Sequence, residues 1–511
     1  MTDIAADTYS HQAYQQQLRS PAAPRGDVAV VLVVSFCATA FNVPLHVASP
    51  ALAIAVQLVI GVSVMVRIPS YAPAVVVFLF LFQNLFVSVF SPLVSDINEL
   101  NFLRGYNFLT TVVMWLVAYA EYFFKKGLAA PATRLMNIST WALAVISLYF
   151  VYGFTQSGVD ATIYLRNIAL PIFLFQLCLL TSVSSSARLT PLFVTMAGMV
   201  LVCGYIELLF RDFWLEITNG SSYWMIGIRE YLNAGRFDRA LRETGQVFLD
   251  YRDVFRSSLF NTNLFGSDTY EVLRLNGPNM TVIPFGYALA FLFLFLNAVG
   301  LWPMALLLLP LLLFVSAKGP VILIVSVLAA WTSTRLFGAV FTIVVFALAL
   351  VAFALLGVIT GVQAGDYHAI GFMGGLNGFF DNPFGRGLGI GGNLSGENFV
   401  QLDWSAAQAQ GATDGAFESS VGVLLYQMGV GAIAPLALYL WIGFSCWKLY
   451  ARSGIAAQGL AAFGMFVIVT NGIFQEEAMF SPTALGLIVS FAGLVLGSHY
   501  RARHEVINRL V

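Results

Sequence analysis

Charged side chains are scarce in this sequence. Lys and Arg number 25 and Asp and Glu 26 in 511 residues, 10% of the chain, where soluble globular proteins carry roughly a quarter. Hydrophobic residues make up 59% and aromatic residues 14%, a balance that identifies an integral membrane protein. The formal net charge of −1 supplies no basic field to hold a polyanion, which excludes nucleic acid as a partner. Cys37, Cys178, Cys203 and Cys446 lie within or beside apolar runs, form no CxxC or zinc spacing, and read as small packing residues. No polar low-complexity tract follows residue 27. Also missing are HExxH, a Walker-type glycine loop, a Gly-x-Ser-x-Gly elbow and paired aspartates for a metal–diphosphate. The chemistry left is metal-free handling of an anion beside the membrane, with no cofactor.

What is abundant is apolar sequence in stretches of about 20 residues, the length a helix needs to cross the hydrocarbon core. They predict an all-α fold, a polytopic transmembrane helical bundle of about 14 spans with two long periplasmic loops containing short helices. The runs lie near 28–43, 50–66, 71–91, 106–124, 134–153, 162–182, 190–210, 280–299, 301–316, 319–336, 338–360, 419–446, 456–474 and 480–499. Short loops rich in Lys and Arg stay cytoplasmic. Arg19 and Arg25, Arg67, Lys125 with Lys126 and Arg134, Arg188, Arg335, Lys448 with Arg452, and Arg501, Arg503 and Arg509 all fall on one side of the predicted bundle. Both termini are therefore expected in the cytoplasm, with Arg104 an exception to the bias.

The expected division is a cytoplasmic tail (1–26), N-terminal transmembrane helices (27–210), a first long outer loop (211–279), central transmembrane helices (280–360), a second long outer loop (361–418), C-terminal transmembrane helices (419–499) and a cytoplasmic tail (500–511). The first tail lacks the basic start and cleavage site of a secretory signal, so the first span is expected to remain as an anchor. Both outer loops far exceed the usual connection, and such loops tend to carry function. In the first, Asp238 and Arg242, and Arg239 and Glu243, stand at helical spacing. Val247, Phe248, Tyr251, Val254 and Phe255 add an apolar stripe, predicting a short helix along the membrane surface. The second loop, rich in Gly, Asn and aromatics, reads as an irregular lid. No internal repeat of the kind common in secondary transporters is visible.

Ionisable groups at the outer ends of spans need a partner or a purpose. Lys318 breaks the positive-inside bias, either as a snorkelling helix-end lysine or as an anion ligand beside the Gly319-Pro320 turn. Arg386 sits among Gly385, Gly387 and Gly389, in a structural turn or in a loop whose backbone and guanidinium clasp a phosphate. His368 is the only histidine in either long loop, a surface residue or a general base. Glu418 enters the twelfth predicted span, a dipole-favoured helix-end acid or a proton acceptor. Arg274 and Arg166 stand at similar outer edges, as substrate ligands or in helix-end ion pairs, for Arg166 with Asp160. Phe379, Phe380, Phe384 and Trp404 are candidates for packing on sugar or lipid. Glu476 and Glu477 read as part of a polar connection.

The order of these segments carries a resemblance. Arg274-Leu-Asn-Gly-Pro-Asn279, then Ser316-Ala-Lys318-Gly319, His368, Asn382-Pro-Phe-Gly-Arg-Gly-Leu-Gly389, Glu418-Ser-Ser and Gly429-Val-Gly431 resemble the O-antigen ligase and polymerase superfamily, bacterial inner-membrane glycosyltransferases. The likeness covers about 271–445, and the Asn-Pro-Phe-Gly-x-Gly-x-Gly run is its most specific part. It implies a glycan donor on undecaprenyl diphosphate, with the diphosphate held at the periplasmic face by Arg274, Lys318 and Arg386. Lys318 stands where the family usually has arginine. Ligases commonly carry a histidine with asparagine where this chain has Phe417-Glu418-Ser419-Ser420, which favours a polymerase of lipid-linked repeat units (O-antigen or exopolysaccharide). A ligase moving finished glycan to a lipid or protein acceptor is the alternative, and a transporter or lipid flippase the second. The resemblance further implies His368 or Glu418 as base, contact with membrane lipids, and a chain-length regulator and flippase as partners.

Overall fold

The computed structural model describes residues 25–125, 128–186, 188–233, 235, 255–259, 271–394 and 403–510. Its first helices are α1 (Arg25–Ala40), α2 (Asn42–Ala48), α3 (Pro50–Arg67), α4 (Ala72–Val89), α5 (Ile97–Lys125), α6 (Ala130–Ser157), α7 (Val159–Ser184) and α8 (Thr190–Leu209). After them come α9 (Arg211–Ile217), α10 (Gly220–Asn233), strands β1 (Arg256–Ser258) and β2 (Glu271–Leu273), α11 (Val282–Ala298), α12 (Trp302–Leu306), α13 (Leu308–Val315), α14 (Lys318–Phe337) and α15 (Ala339–Gln363). The chain ends with α16 (Tyr367–Asp381), α17 (Trp404–Gln410), α18 (Ser420–Met428), α19 (Ile433–Ser453), α20 (Ala456–Asn471), α21 (Glu476–Phe480), a π-helical turn at Pro482–Gly486 and α22 (Leu487–Leu510). The protein is an all-α polytopic membrane protein. Among the described residues, 11 helical segments are long and apolar enough to cross a membrane. The shorter apolar helices Val282–Ala298, Trp302–Val315 and Ala456–Asn471 fill the other predicted runs.

Burial ranks the helices. The Val159–Ser184 and Pro482–Ala502 spans are 72% and 83% buried, and they pack along each other at the centre. Ala339–Gln363, the most apolar span, is only 11% buried, as expected of a helix whose apolar surface faces lipid. In lipid the hydrophobic effect does not hold helices together, so buried polar contacts and small-residue packing matter more. Gln176 on α7 supplies one such contact, donating to Ser139 Oγ on α6 at 2.8 Å and accepting from Trp115 Nε1 on α5 at 2.7 Å. All four cysteines are free thiols.

The first long loop opens with α9 and α10 and contains an antiparallel ribbon in which Arg256 pairs with Leu273. Of the stripe predicted over 247–255 only Phe255 lies within the described residues, and it packs on Trp224 at 4.5 Å. The rest of that predicted surface helix lies outside them.

The second loop contains short helices, as expected of both long loops, and is to that extent more regular than a lid of turns. Residues 367–381 form a helix, capped by Asp366, whose side chain accepts from His368 N at 3.0 Å and Ala369 N at 3.3 Å. Gly371, Gly374, Gly375 and Gly378 fall at helical spacing, and a Cβ on any of them would overlap neighbouring atoms at Phe417, Gly415, Gly422 or Tyr426. Glycine here marks a stripe for close packing of α16 against residues 415–426, not a turn. The following run does turn, with positive φ at Gly385, Gly387 and Gly389, a region open to glycine at no steric cost.

Candidate functional site

One end of the bundle collects the chemistry. The starts of α14, α16 and α21 meet there with the segment before α11, around a cavity of about 610 Å³. Arg274, Lys318, Asp366, His368, Asn471 and Gln475 supply its polar lining, and Ile283, Ile322, Phe353 and Phe474 its apolar wall.

Arg274 is placed by its own backbone. Asn276 and Gly277 donate their N–H groups to the buried Glu207 carboxylate at 3.0 and 2.6 Å, and the Arg274 carbonyl accepts from Arg211 at 2.7 Å. Gly277 has φ +57°, and a Cβ there would overlap the Phe285 ring, so the turn requires glycine. The Arg274 Nε donates to the Val315 carbonyl at 3.0 Å, leaving its terminal nitrogens for the cavity. Burial lowers this guanidinium to about 10, opposed by Glu477, so it stays charged at neutral pH.

Lys318 is the first residue of α14, and no side chain caps that helix. Its terminal N–H groups and the lysine therefore present donors and positive charge at one place, a ready anion site. Gly319 permits this arrangement, because a Cβ there would strike the Tyr287 hydroxyl and the Gln475 amide. Asn471 fixes the turn by donating to the Gly319 carbonyl at 3.1 Å.

His368 turns its Nδ1 to Glu418, 3.3 Å from the carbonyl oxygen and 3.7 Å from a carboxylate oxygen. Glu418 reaches both ways from a left-handed backbone, φ +56°, which is uncommon outside glycine. Its N–H donates to Asn393 at 3.2 Å. Nδ1 as donor to that carbonyl leaves Nε2 as the basic nitrogen of the neutral ring.

Two acids read from sequence as a polar connection belong to this centre. Glu476 is buried and accepts from the Tyr164 hydroxyl at 3.1 Å and the Asn393 N–H at 3.2 Å. Burial, then the Glu418 and Glu477 carboxylates, push its carboxyl up from 4.5 to about 8. Glu477 is raised too, by burial first and then Glu418, with His368 and Arg274 pulling the other way. Their signal was only that two adjacent acids stood between apolar runs.

The raised Glu476 carboxyl fixes a sign. The folded state holds the proton that the unfolded chain releases from about pH 4.5, so its contribution is full below that pH and is lost on rising to about 8. The melting temperature should fall across this window, and Glu476→Gln should flatten the slope, because the amide does not titrate and its oxygen can still accept from the Tyr164 hydroxyl. Equal slopes in wild type and variant between pH 5 and 9 would refute this.

Arg386 does not join the cavity. Its Nη1 donates to the Gly378 carbonyl at 2.7 Å, and its guanidinium lies 4.1 Å over the Tyr426 ring. The surrounding loop packs on α18 and on Gly153 of α6, where a Cβ would overlap Leu388 and Gly387. Arg386→Gln should therefore lower the melting temperature by several degrees, for a loss of about 1–3 kcal/mol, while anion binding at the cavity stays unchanged. Weaker anion binding at wild-type stability would restore the anion-binding role. Arg166 lines a different, neighbouring cavity. Phe380 and Phe384 are exposed, and Trp404 packs on Tyr367 at 4.6 Å; with Phe379 they line neither cavity.

No known protein family, curated protein or solved structure matches this chain. The cavity lining is mainly apolar, with two cations, an uncapped helix start and an imidazole among the polar groups. Such a site suits an amphiphile with an anionic headgroup, next to a group able to take a proton.

Proposed function

We propose that the protein is a membrane glycosyltransferase that polymerises repeat units carried on undecaprenyl diphosphate at the outer face of the inner membrane. The observation that carries this reading is the convergence of Arg274, Lys318 and His368 on one cavity with an apolar wall. The motif resemblance over 271–445 supports it, and so does the positive-inside pattern, which puts this end of the bundle outside.

In the proposed step a sugar hydroxyl of one lipid-linked unit attacks the anomeric carbon of another. The new C–O bond forms as the bond to the diphosphate breaks, and undecaprenyl diphosphate departs with the electron pair. Arg274, Lys318 and the α14 N-terminus offset the charge on that leaving group. His368 takes the hydroxyl proton, with Glu418 orienting the ring and stabilising its charged form, the role of the carboxylate in a Ser-His-Asp triad. Direct displacement inverts the anomeric configuration.

Purified protein in liposomes, given a labelled lipid-linked repeat, should produce a ladder of longer glycans with inverted linkages. Retention of configuration would refute the single-step mechanism. Transfer only of finished glycan to a separate acceptor would make the protein a ligase. Movement of label across the bilayer without lengthening would make it a transporter.

A further inference from the structure

Next to the first cavity lies a second, of about 330 Å³. Gln475 lines the first and Glu476 and Glu477 the second, so one short stretch of chain borders both. Arg104 of α5 and Arg166 of α7 share the second cavity. Like charges in a partly desolvated space disfavour each other, and no described carboxylate lies within ion-pair distance of either. Arg104 donates to the Tyr223 hydroxyl at 2.6 Å, and its Nε is shut from solvent without a hydrogen-bond partner. Among the described residues Arg166 hydrogen-bonds only Asn167 Oδ1, at 3.4 Å. Of the two acids on the wall, Glu476 gives its oxygens to Tyr164 and Asn393, and Glu477, whose Oε2 is buried without a hydrogen-bond partner, forms no ion pair with either arginine.

Around the arginines stand four asparagines, each with one amide atom engaged. Asn84 and Asn279 donate to the Asn279 and Phe80 carbonyls at 2.8 and 3.3 Å, and Asn167 and Asn393 accept from Arg166 and Glu418. That leaves two amide oxygens as acceptors and two amide nitrogens as donors. A bare anion uses donors only, whereas sugar hydroxyls need both. The volume is at the small end of the roughly 300–1,000 Å³ of small-molecule sites, room for a short saccharide and not for a whole glycan.

We propose that the second cavity binds an acidic saccharide, a sugar unit carrying a carboxylate or phosphate, with Arg104 and Arg166 holding the charge and the asparagines the hydroxyls. Assigning it to the acceptor rests on the glycosyl-transfer reading; the binding itself does not. Donor headgroup and acceptor sugar would then lie on either side of the Gln475–Glu477 stretch.

Equilibrium titration of the full-length protein in lipid nanodiscs tests this with a glucuronate-ended trisaccharide, its phosphorylated counterpart, a neutral trisaccharide of equal size and inorganic phosphate. One of the two charged trisaccharides should bind at least about tenfold tighter than the neutral one and than phosphate, and which does so names the anion. Arg166→Gln should remove that preference, Arg166→Lys should restore part of it, and Lys318→Gln should leave it intact. Equal binding of charged and neutral trisaccharides overturns the proposal, as does phosphate binding as tightly as the sugars, or an unchanged preference in a folded Arg166→Gln protein. If Arg166→Gln does not fold, the wild-type comparison decides alone. Saccharide binding without chain lengthening counts against the glycosyl-transfer reading only; lengthening without acidic-saccharide binding sinks this proposal only.

Discussion

Replacing Lys318 with alanine is expected to slow chain lengthening about 10²–10³-fold, the usual cost of losing one aimed donor to a developing anion, without lowering the melting temperature. Most substitutions that remove activity this strongly also cost stability, and this one should not. Lys318 is exposed and opens α14, where the helix dipole is positive and a cation is disfavoured by about 0.3–1 kcal/mol. It holds no ion pair with a described carboxylate. Nothing in the packing asks for a lysine there, which is what the proposed diphosphate site would require. Alanine should leave the fold unchanged or slightly more stable, and Lys318→Arg should keep most of the rate, since a guanidinium can grip a diphosphate with two parallel bonds. Initial rates in liposomes together with thermal melts check both halves. An alanine variant with wild-type rate would remove the diphosphate from this cavity.

Much of the bundle was legible because lipid leaves few choices: an apolar run long enough to cross must satisfy its own backbone, and only a helix does so within one segment. The predicted runs accordingly coincide with helices, down to the short Trp302–Val315 pair. The site was half legible. Lys318 stood out through a local rule, a cation where the expected topology disfavours one, and it does line the cavity with Arg274 and His368. Arg386 obeyed the same kind of local signal, glycines around a guanidinium, yet its charge is taken up by Gly378 and Tyr426. Neighbours in sequence could not reveal Tyr426 as a partner, because it comes from a later helix.

Glycine was ambiguous for a physical reason. At 371, 374, 375 and 378 it removes a Cβ from a helix face, while at 385, 387 and 389 it permits positive φ, and composition alone cannot separate the two uses. Helical spacing could have, had the first set been read for period. Glu476, Glu477 and Glu207 were hidden differently. Each is an ordinary acid near a span end, and only the folded chain shows that Glu207 holds the turn after Arg274 and that Glu476 and Glu477 border the second cavity.

His368→Ala should have the other large effect, a fall in kcat of about 10²–10⁴ with donor binding retained, since in the proposed step the imidazole acts on the attacking hydroxyl and not on the diphosphate. The pair with Glu418 allows this to be dissected. Glu418 offers His368 both a carbonyl and a carboxylate oxygen from a left-handed backbone. Glu418→Gly suits that backbone and keeps the carbonyl contact while deleting the charge, whereas Glu418→Gln keeps a side chain and the strain. If the carboxylate stabilises the charged imidazole, both variants should lose rate by a similar factor, each less than His368→Ala. If only the carbonyl matters, by fixing the tautomer, Glu418→Gly should be as active as wild type and more stable. Either variant combined with His368→Ala should lose no more than His368→Ala alone, because residues acting through one group are not additive. A double variant markedly slower than His368→Ala would instead make Glu418 the base in its own right, and the histidine a bystander at the mouth of the cavity.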